Sequence, residues 1–218
     1  MNKMIRLMTL ILFLVILKTT NAQVEVYKTY SDYQNNISAK YADFLKNKIA
    51  HVGQDLIFLD DKGEKVKINS TEIWGFKYKN TIFRFYLNDA YYPMAAVVNI
   101  GKLVYYENGI AYMEMLKKNK DKGSYDFIVD GNSWYFSKDL NSEIEKANKL
   151  EYSSTKYPEY KELYDCLMQD SKYKGLNEKS KKDEDEKRAL RKTYLSNLGI
   201  KKVRECISSF EGKPLFEN

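Results

Sequence analysis

Histidine is almost missing from this chain: His51 is the single copy in 218 residues. Histidine is the side chain that titrates near neutrality, so one copy leaves little room for Ser–His relays or His-based metal sites. A Cys166–His51 dyad is open to the chain, since such partners need not be adjacent in sequence. A turn position beside Val52-Gly53 is the simpler reading of His51. Cysteine is scarce too, with 2 copies, and the carboxylates show no ligand spacing around them, so no zinc motif forms. The 10 glycines include no Gly-x-Gly-x-x-Gly and no Walker-type run, which removes the usual phosphate cradles. Arginine is rare: of 36 basic residues 5 are Arg, and only Arg84 falls between Arg6 and Arg188. Proteins that grip phosphate or carboxylate in a fork usually use arginine there. The lysine excess reads instead as a general lysine-, asparagine- and tyrosine-rich composition. No cofactor is expected.

Apolar runs of membrane length are also absent. The longest is Leu7–Leu17, apolar except for Thr9 and too short to span a bilayer. Lys3 and Arg6 precede it, Lys18 closes it, and Thr20-Asn21-Ala22 supplies small residues before Gln23. This is the pattern of a secretory signal peptide over residues 1–22, with no cysteine near the cut to carry a lipid. The expected product is periplasmic, outer-membrane-associated or secreted, with no transmembrane span in the mature chain. Removing residues 1–22 takes away three basic and no acidic residues, so the formal charge falls from +6 to +3. That is weak pull toward any polyanion, and nucleic acid is not an expected partner.

What remains is globular in composition, 44% hydrophobic and 30% charged. Residues 23–138 read as a β-rich domain. Leu56–Leu59 and Lys65–Ile68 flank Asp61-Lys62-Gly63, a hairpin whose glycine tolerates positive φ. Asp60-Asp61-Lys62-Gly63 superficially looks like a calcium loop but lacks the alternating oxygen ligands. Thr81–Leu87 alternates, with Phe83, Phe85 and Leu87 on one face and Ile82, Arg84 and Tyr86 on the other. Met94–Asn99 and Lys102–Tyr106 turn at Gly101. Asn108-Gly109 reads as a further hairpin into a strand over Ile110–Met115, and Asp130-Gly131 as another between Asp126–Val129 and Ser133–Phe136. Lys117–Gly123 reads as a polar loop, and Lys28–Asn36 as one short helix capped by Ser31. Eight or nine short strands predict a curved antiparallel sheet, as a sandwich or partial barrel.

Residues 139–218 read as a helical region packed on or beside that sheet, which makes the fold class α+β. Pro158 opens a helix whose apolar face is Tyr160, Leu163, Tyr164, Leu167 and Met168. Leu190, Tyr194 and Leu198 follow at spacing four, with Gly199 as the stop. Val203, Ile207 and Phe210 mark a last short helix. Cys166 and Cys206 sit on two of these helices. An oxidising compartment would let them pair, whereas Cys166 lies well round its helix from Leu163 and Leu167, so a disulfide and two unpaired small hydrophobes are both open.

Candidate chemistry is thin. Ser153–Lys156 and Ser171–Lys174 match Ser-x-x-Lys of serine acyl-transferases, but chance alone gives about two matches and the companion motifs are absent. Lys172–Lys192 holds nine basic and five acidic residues, interleaved as on a solvated helix face. Aromatics are the remaining lead, with 19 Tyr and 2 Trp. Trp74, Tyr91, Tyr92 and Trp134, with Arg84 among them, are the candidate binding residues. On an exposed sheet face they would stack sugars or anchor a protein; as core they would be cross-strand pairs. No catalytic or metal residue stands out.

Glu72-Ile73-Trp74-Gly75-Phe76 and Tyr135-Phe136-Ser137-Lys138-Asp139-Leu140 carry a resemblance. Over residues 24–145 the chain resembles small uncharacterised exported proteins of Bacteroidetes. The resemblance brings no activity and no functional residue. It implies a bacterial cell-envelope setting, in which the sequons at Asn36 and Asn69 are not glycosylated. The expectation is a non-enzymatic binding or structural component of the envelope, with an envelope protein or glycan as partner. Two alternatives stand beside it: a small carboxylate-dependent hydrolase of envelope polymers, and a peripheral binder of anionic surfaces through the C-terminal helices.

Overall fold

The computed structural model describes residues 23–50, 52–86, 93–118, 134–169 and 183–212. The signal-peptide segment, His51, Tyr91, Tyr92, Ser171–Lys174 and the Asp130-Gly131 turn lie outside the described residues. The chain is of α+β class. Among the described residues there are eleven strands, eight of them in one antiparallel sheet that does not close, and the helices concentrate in the C-terminal part. No helix of the described residues is long and apolar enough to cross a membrane. Two compact units divide at Asn80/Thr81.

In the unit up to Asn80, strand β1 (Val24–Tyr27) pairs antiparallel with β2 (Ala39–Tyr41) and β6 (Gly75–Tyr78). Between β1 and β2 lies helix α1 (Tyr30–Gln34). Its cap is Thr29 and not the expected Ser31. Asp32 N–H donates to the Thr29 hydroxyl at 3.1 Å, and Thr29 N–H donates back to the Asp32 carboxylate at 2.9 Å. A charged acceptor in the first turn, where the helix dipole favours it, decides between the two candidates.

A three-stranded sheet of order β3–β4–β5 (Asp43–Ile49, Gln54–Leu59, Lys65–Asn69) completes this unit. Along β4, Gln54, Leu56 and Phe58 are buried and their neighbours are not, as a period of two requires. The β4–β5 hairpin forms as expected. Gly63 sits at φ +83°, and the Asp60 carboxylate accepts from the backbone N–H of Lys62 and Glu64. Those oxygens serve the turn itself. Phe44 and Phe58 of this sheet meet Phe76 of β6 at 5.3 and 5.7 Å between ring centres, which forms the unit's core.

The unit from Thr81 onward holds β7 (Thr81–Phe85), β8 (Met94–Ile100), β9 (Val104–Asn108), β10 (Trp134–Ser137) and β11 (Glu145–Lys146), each antiparallel to the next. Asn108-Gly109 does not make a hairpin. It opens helix α2 (Gly109–Lys117), with the Asn108 side chain accepting from the N–H groups of Ile110 and Ala111. Asparagine serves equally as a turn residue and as a helix cap, and here the cap wins. Lys117 therefore ends a helix rather than starting a loop.

Among the described residues four further helices follow: α3 (Leu150–Ser154), α4 (Pro158–Met168), α5 (Glu184–Ser196) and α6 (Ile200–Glu211). α4 buries Tyr160, Leu163 and Leu167, the apolar face its spacing predicts. Gly199 caps the start of α6 rather than stopping α5, which ends at Ser196 with Asn197 as its C-cap. Cys166 of α4 and Cys206 of α6 are joined by a disulfide, with Cα atoms 5.9 Å apart. Cys166 is half-buried and Cys206 fully buried, so the bond closes across the flank where the two helices pack. β9 is buried along both faces, with Tyr105 and Tyr106 at zero exposure. Its Glu107, also fully buried, takes a two-pronged contact from Arg204 of α6 at 2.7 and 2.8 Å.

Candidate functional site

The segment from Glu143 to Tyr157 builds a cleft of the C-terminal unit. It runs from β11 through a 3₁₀ turn (Ala147–Lys149) into α3. Ile144, Ala147, Leu150 and Ser153 are buried at every third residue. That period puts Lys146, Lys149 and Tyr152 on another face, and Lys156 lies just past the end of α3. Ser153 is the polar member of the buried row, and its hydroxyl donates to the Glu145 carboxylate, tying α3 to β11. Lys156, three residues on, does not serve Ser153. Its ammonium lies 4.2 Å from the centre of the Tyr152 ring. That contact draws the Tyr152 pKa down and pushes the Lys156 pKa up.

A cavity of about 540 Å³ opens over this segment, lined by Tyr86, Tyr152 and Tyr157, by Glu143 and Glu145, and by Lys146, Lys149 and Lys156 among others. A second, of about 470 Å³, adjoins it through Asn148, Lys149 and Tyr152 and is closed by Glu151, Arg188 and Lys192. A third, of about 240 Å³, adjoins through Tyr86, Lys146 and Asn148 and reaches Trp134 and Tyr135. Tyr152 lines both of these larger cavities and is 53% exposed; Tyr157 is 36% exposed. The Glu151 carboxylate is held by Arg191 of α5 at 2.7 Å, a half-sheltered pair that fixes α5 against α3. Tyr160, behind the cleft, stays protonated well above the ordinary tyrosine range because it is buried and faces Glu145.

The residues singled out from sequence are placed differently. Trp134 is fully buried, 6.2 Å from Phe136 between ring centres, and meets the cleft only at its smallest cavity. Arg84 is 7% exposed and donates to the Tyr106 hydroxyl and the Ser142 carbonyl, both at 3.1 Å. Burial raises the Tyr106 pKa against the opposing pull of that guanidinium. Trp74 belongs to the other unit, stacked on Tyr33 at 4.8 Å with Tyr30 and Tyr27 beside it. Arg84 and Trp134 thus belong to the unit from Thr81 onward, and Trp74 to the unit up to Asn80. Sequence reasoning did not single out Tyr152, Tyr157 or Lys149, and it took Arg188 and Lys192 only as part of the basic Lys172–Lys192 stretch. The available signal was two tyrosines set among charged residues in a stretch without strand formers.

Among the described residues no three or more His, Cys, Asp or Glu side chains converge to hold a metal. No family model, no curated protein and no solved structure matches the chain.

Proposed function

We propose that the chain is an exported, non-enzymatic binding protein of the bacterial cell envelope, and that the cleft on residues 143–157 takes its ligand. The signal-peptide pattern and the resemblance to exported Bacteroidetes proteins supply the setting. The cleft supplies the binding surface. The observation that carries the reading is Tyr152: a large ring, half exposed, with the Lys156 ammonium over its face, that lines two adjoining polar cavities. An aromatic wall with polar groups on either side is what a saccharide needs, since its C–H faces stack and its hydroxyls hydrogen-bond. Ser153 is committed to Glu145 and almost fully buried, which argues against it as a nucleophile.

The hydrolase alternative keeps one specific support, because Glu143 and Glu145 line the same cavity. One experiment separates the readings. The mature form (residues 23–218) is incubated with a panel of envelope polysaccharides, and both retention and product release are measured. Retention without shorter products, weakened about tenfold or more by Tyr152→Ala, supports the binding protein. Release of shorter products that stops in Glu143→Gln replaces it with the hydrolase. Cell fractionation that finds the chain in the cytoplasm removes the envelope setting.

A further inference from the structure

We infer that the ligand of this cleft is an acidic saccharide, with a sugar ring against Tyr152 and its anionic group among Lys149, Arg188 and Lys192. The inference rests on the binding reading above and adds the charge of the ligand. It starts from the sequence of α5. Arg188 and Lys192 are four residues apart, so they share one side of the helix, where like charges repel. The other basic residues of that stretch are matched: Lys187 lies 3.4 Å from Glu184, and Arg191 lies 2.7 Å from Glu151. Lys149, Arg188 and Lys192 meet no carboxylate in an ion pair among the described residues, and all three line the 470 Å³ cavity. Its single acid, Glu151, is already taken by Arg191. The cavity is thus a concave site with three cations and one neutralised carboxylate. Such a site is completed by an anion supplied from outside.

The shape and the tyrosine choose among anions. A small free anion would fill a fraction of the 470 Å³ and leave the adjoining 540 Å³ unused. A lipid surface would engage these exposed cations but leave the adjoining 540 Å³ cavity unfilled. A short acidic oligosaccharide uses both cavities at once, with neutral units along Tyr152 and Tyr157 and the charged substituent beside α5. The charged group is a uronate carboxylate or a sulfate ester, which share this chemistry.

The test uses the mature protein and titrates tetragalacturonate, a sulfated tetragalactose, neutral tetragalactose, inorganic sulfate and vesicles of anionic phospholipid. Expected is binding of one or both acidic tetramers at least about tenfold tighter than the neutral one, weakening from about 0.05 to about 0.5 M salt. The tighter acidic tetramer identifies the charged group. The triple variant K149Q/R188Q/K192Q alters exposed side chains, and its fold is checked by circular dichroism. It should bind acidic tetramer about 30-fold more weakly and the neutral one unchanged, while Tyr152→Ala weakens both. Neutral and acidic tetramers bound alike, or an unchanged triple variant beside a defective Tyr152→Ala, overturns the acidic ligand and leaves the cleft reading standing. No saccharide bound by the wild type overturns both. Inorganic sulfate bound as tightly as the tetramers, or vesicle binding indifferent to Tyr152→Ala, overturns the saccharide in favour of a free-anion site or a lipid surface.

Discussion

Glu107 has no exposed surface, yet it carries a carboxylate on the central strand of its unit. A buried charge is tolerable only when it is paired and hydrogen-bonded, and Arg204 supplies both in one fork. Removing the guanidinium strands the carboxylate. Arg204→Ala should therefore cost about 3–5 kcal/mol in chemical denaturation, and a double Glu107→Met/Arg204→Met variant should recover most of it. A double variant as unstable as the single one would mean that packing, not charge, dominates the site. Tyr78 and Tyr112 are a second residue-scale case. Burial, helped by Asp43 beside the first and Glu107 beside the second, pushes both from the ordinary 10.0 up to about 12. A raised folded pKa favours the protonated folded form. Its contribution is complete below pH 10 and is lost as the pH climbs through about 12. Tyrosinate absorbance at 295 nm should thus rise for the exposed tyrosines first. The last part should rise together with the loss of circular dichroism; full ionisation of a still-folded protein contradicts this account.

At the scale of elements, the Asn108-Gly109 pair shows why a strong local signal was not enough. The same dipeptide serves a tight hairpin and a capped helix, and the residues after it decide. In α2 they bury Tyr112, Met113 and Met115, while Ile110 stays 42% exposed. Gly109 is fixed by what stands next to it. A Cβ there would sit 2.7 Å from the Met94 backbone, so the first turn of α2 can approach β8 only without a side chain. Alanine is the better helix former by about 1 kcal/mol, but overpacking against backbone costs about 1–3 kcal/mol. Gly109→Ala is therefore expected to lower thermal stability; a stabilised variant would show that β8 yields. The β4–β5 hairpin is the contrasting case. Asp60, Asp61 and Gly63 specify the turn through groups within four residues, and the structure follows the sequence there.

At the scale of the molecule, the Cys166–Cys206 bond closes a loop of about 40 residues. In the chain-entropy account such a closure stabilises by about 4 kcal/mol, a large part of the 5–15 kcal/mol typical of a folded domain. Reduction, or a Cys166→Ala/Cys206→Ala variant, should lower the melting temperature of the mature protein by roughly 10 °C. An unchanged melt would show that the packing of α4 and α6 holds without the bond. The same pairing marks the limit of reading one helix at a time. Cys166 does lie away from the face of Leu163 and Leu167, yet α6 packs along that flank and brings Cys206 to it.

The sequence by itself determined the α+β class, the hairpin at Gly63, the helix face of α4 and the two partners available for a disulfide. These depend on period, turn chemistry and composition, which act over a few residues. The site was not legible in the same way. Trp134 and Arg84 were prominent as residue types, but burial made one core and spent the other on Tyr106 and Ser142. Tyr152, Lys149, Arg188 and Lys192 come from segments about 40 residues apart and are unremarkable in each. The packing of α5 on the 3₁₀ turn and α3, with the Glu151–Arg191 pair across it, brings them together around one cavity. Which charges are neutralised and which are left facing a cavity is a property of distances between segments, and those are set by tertiary packing.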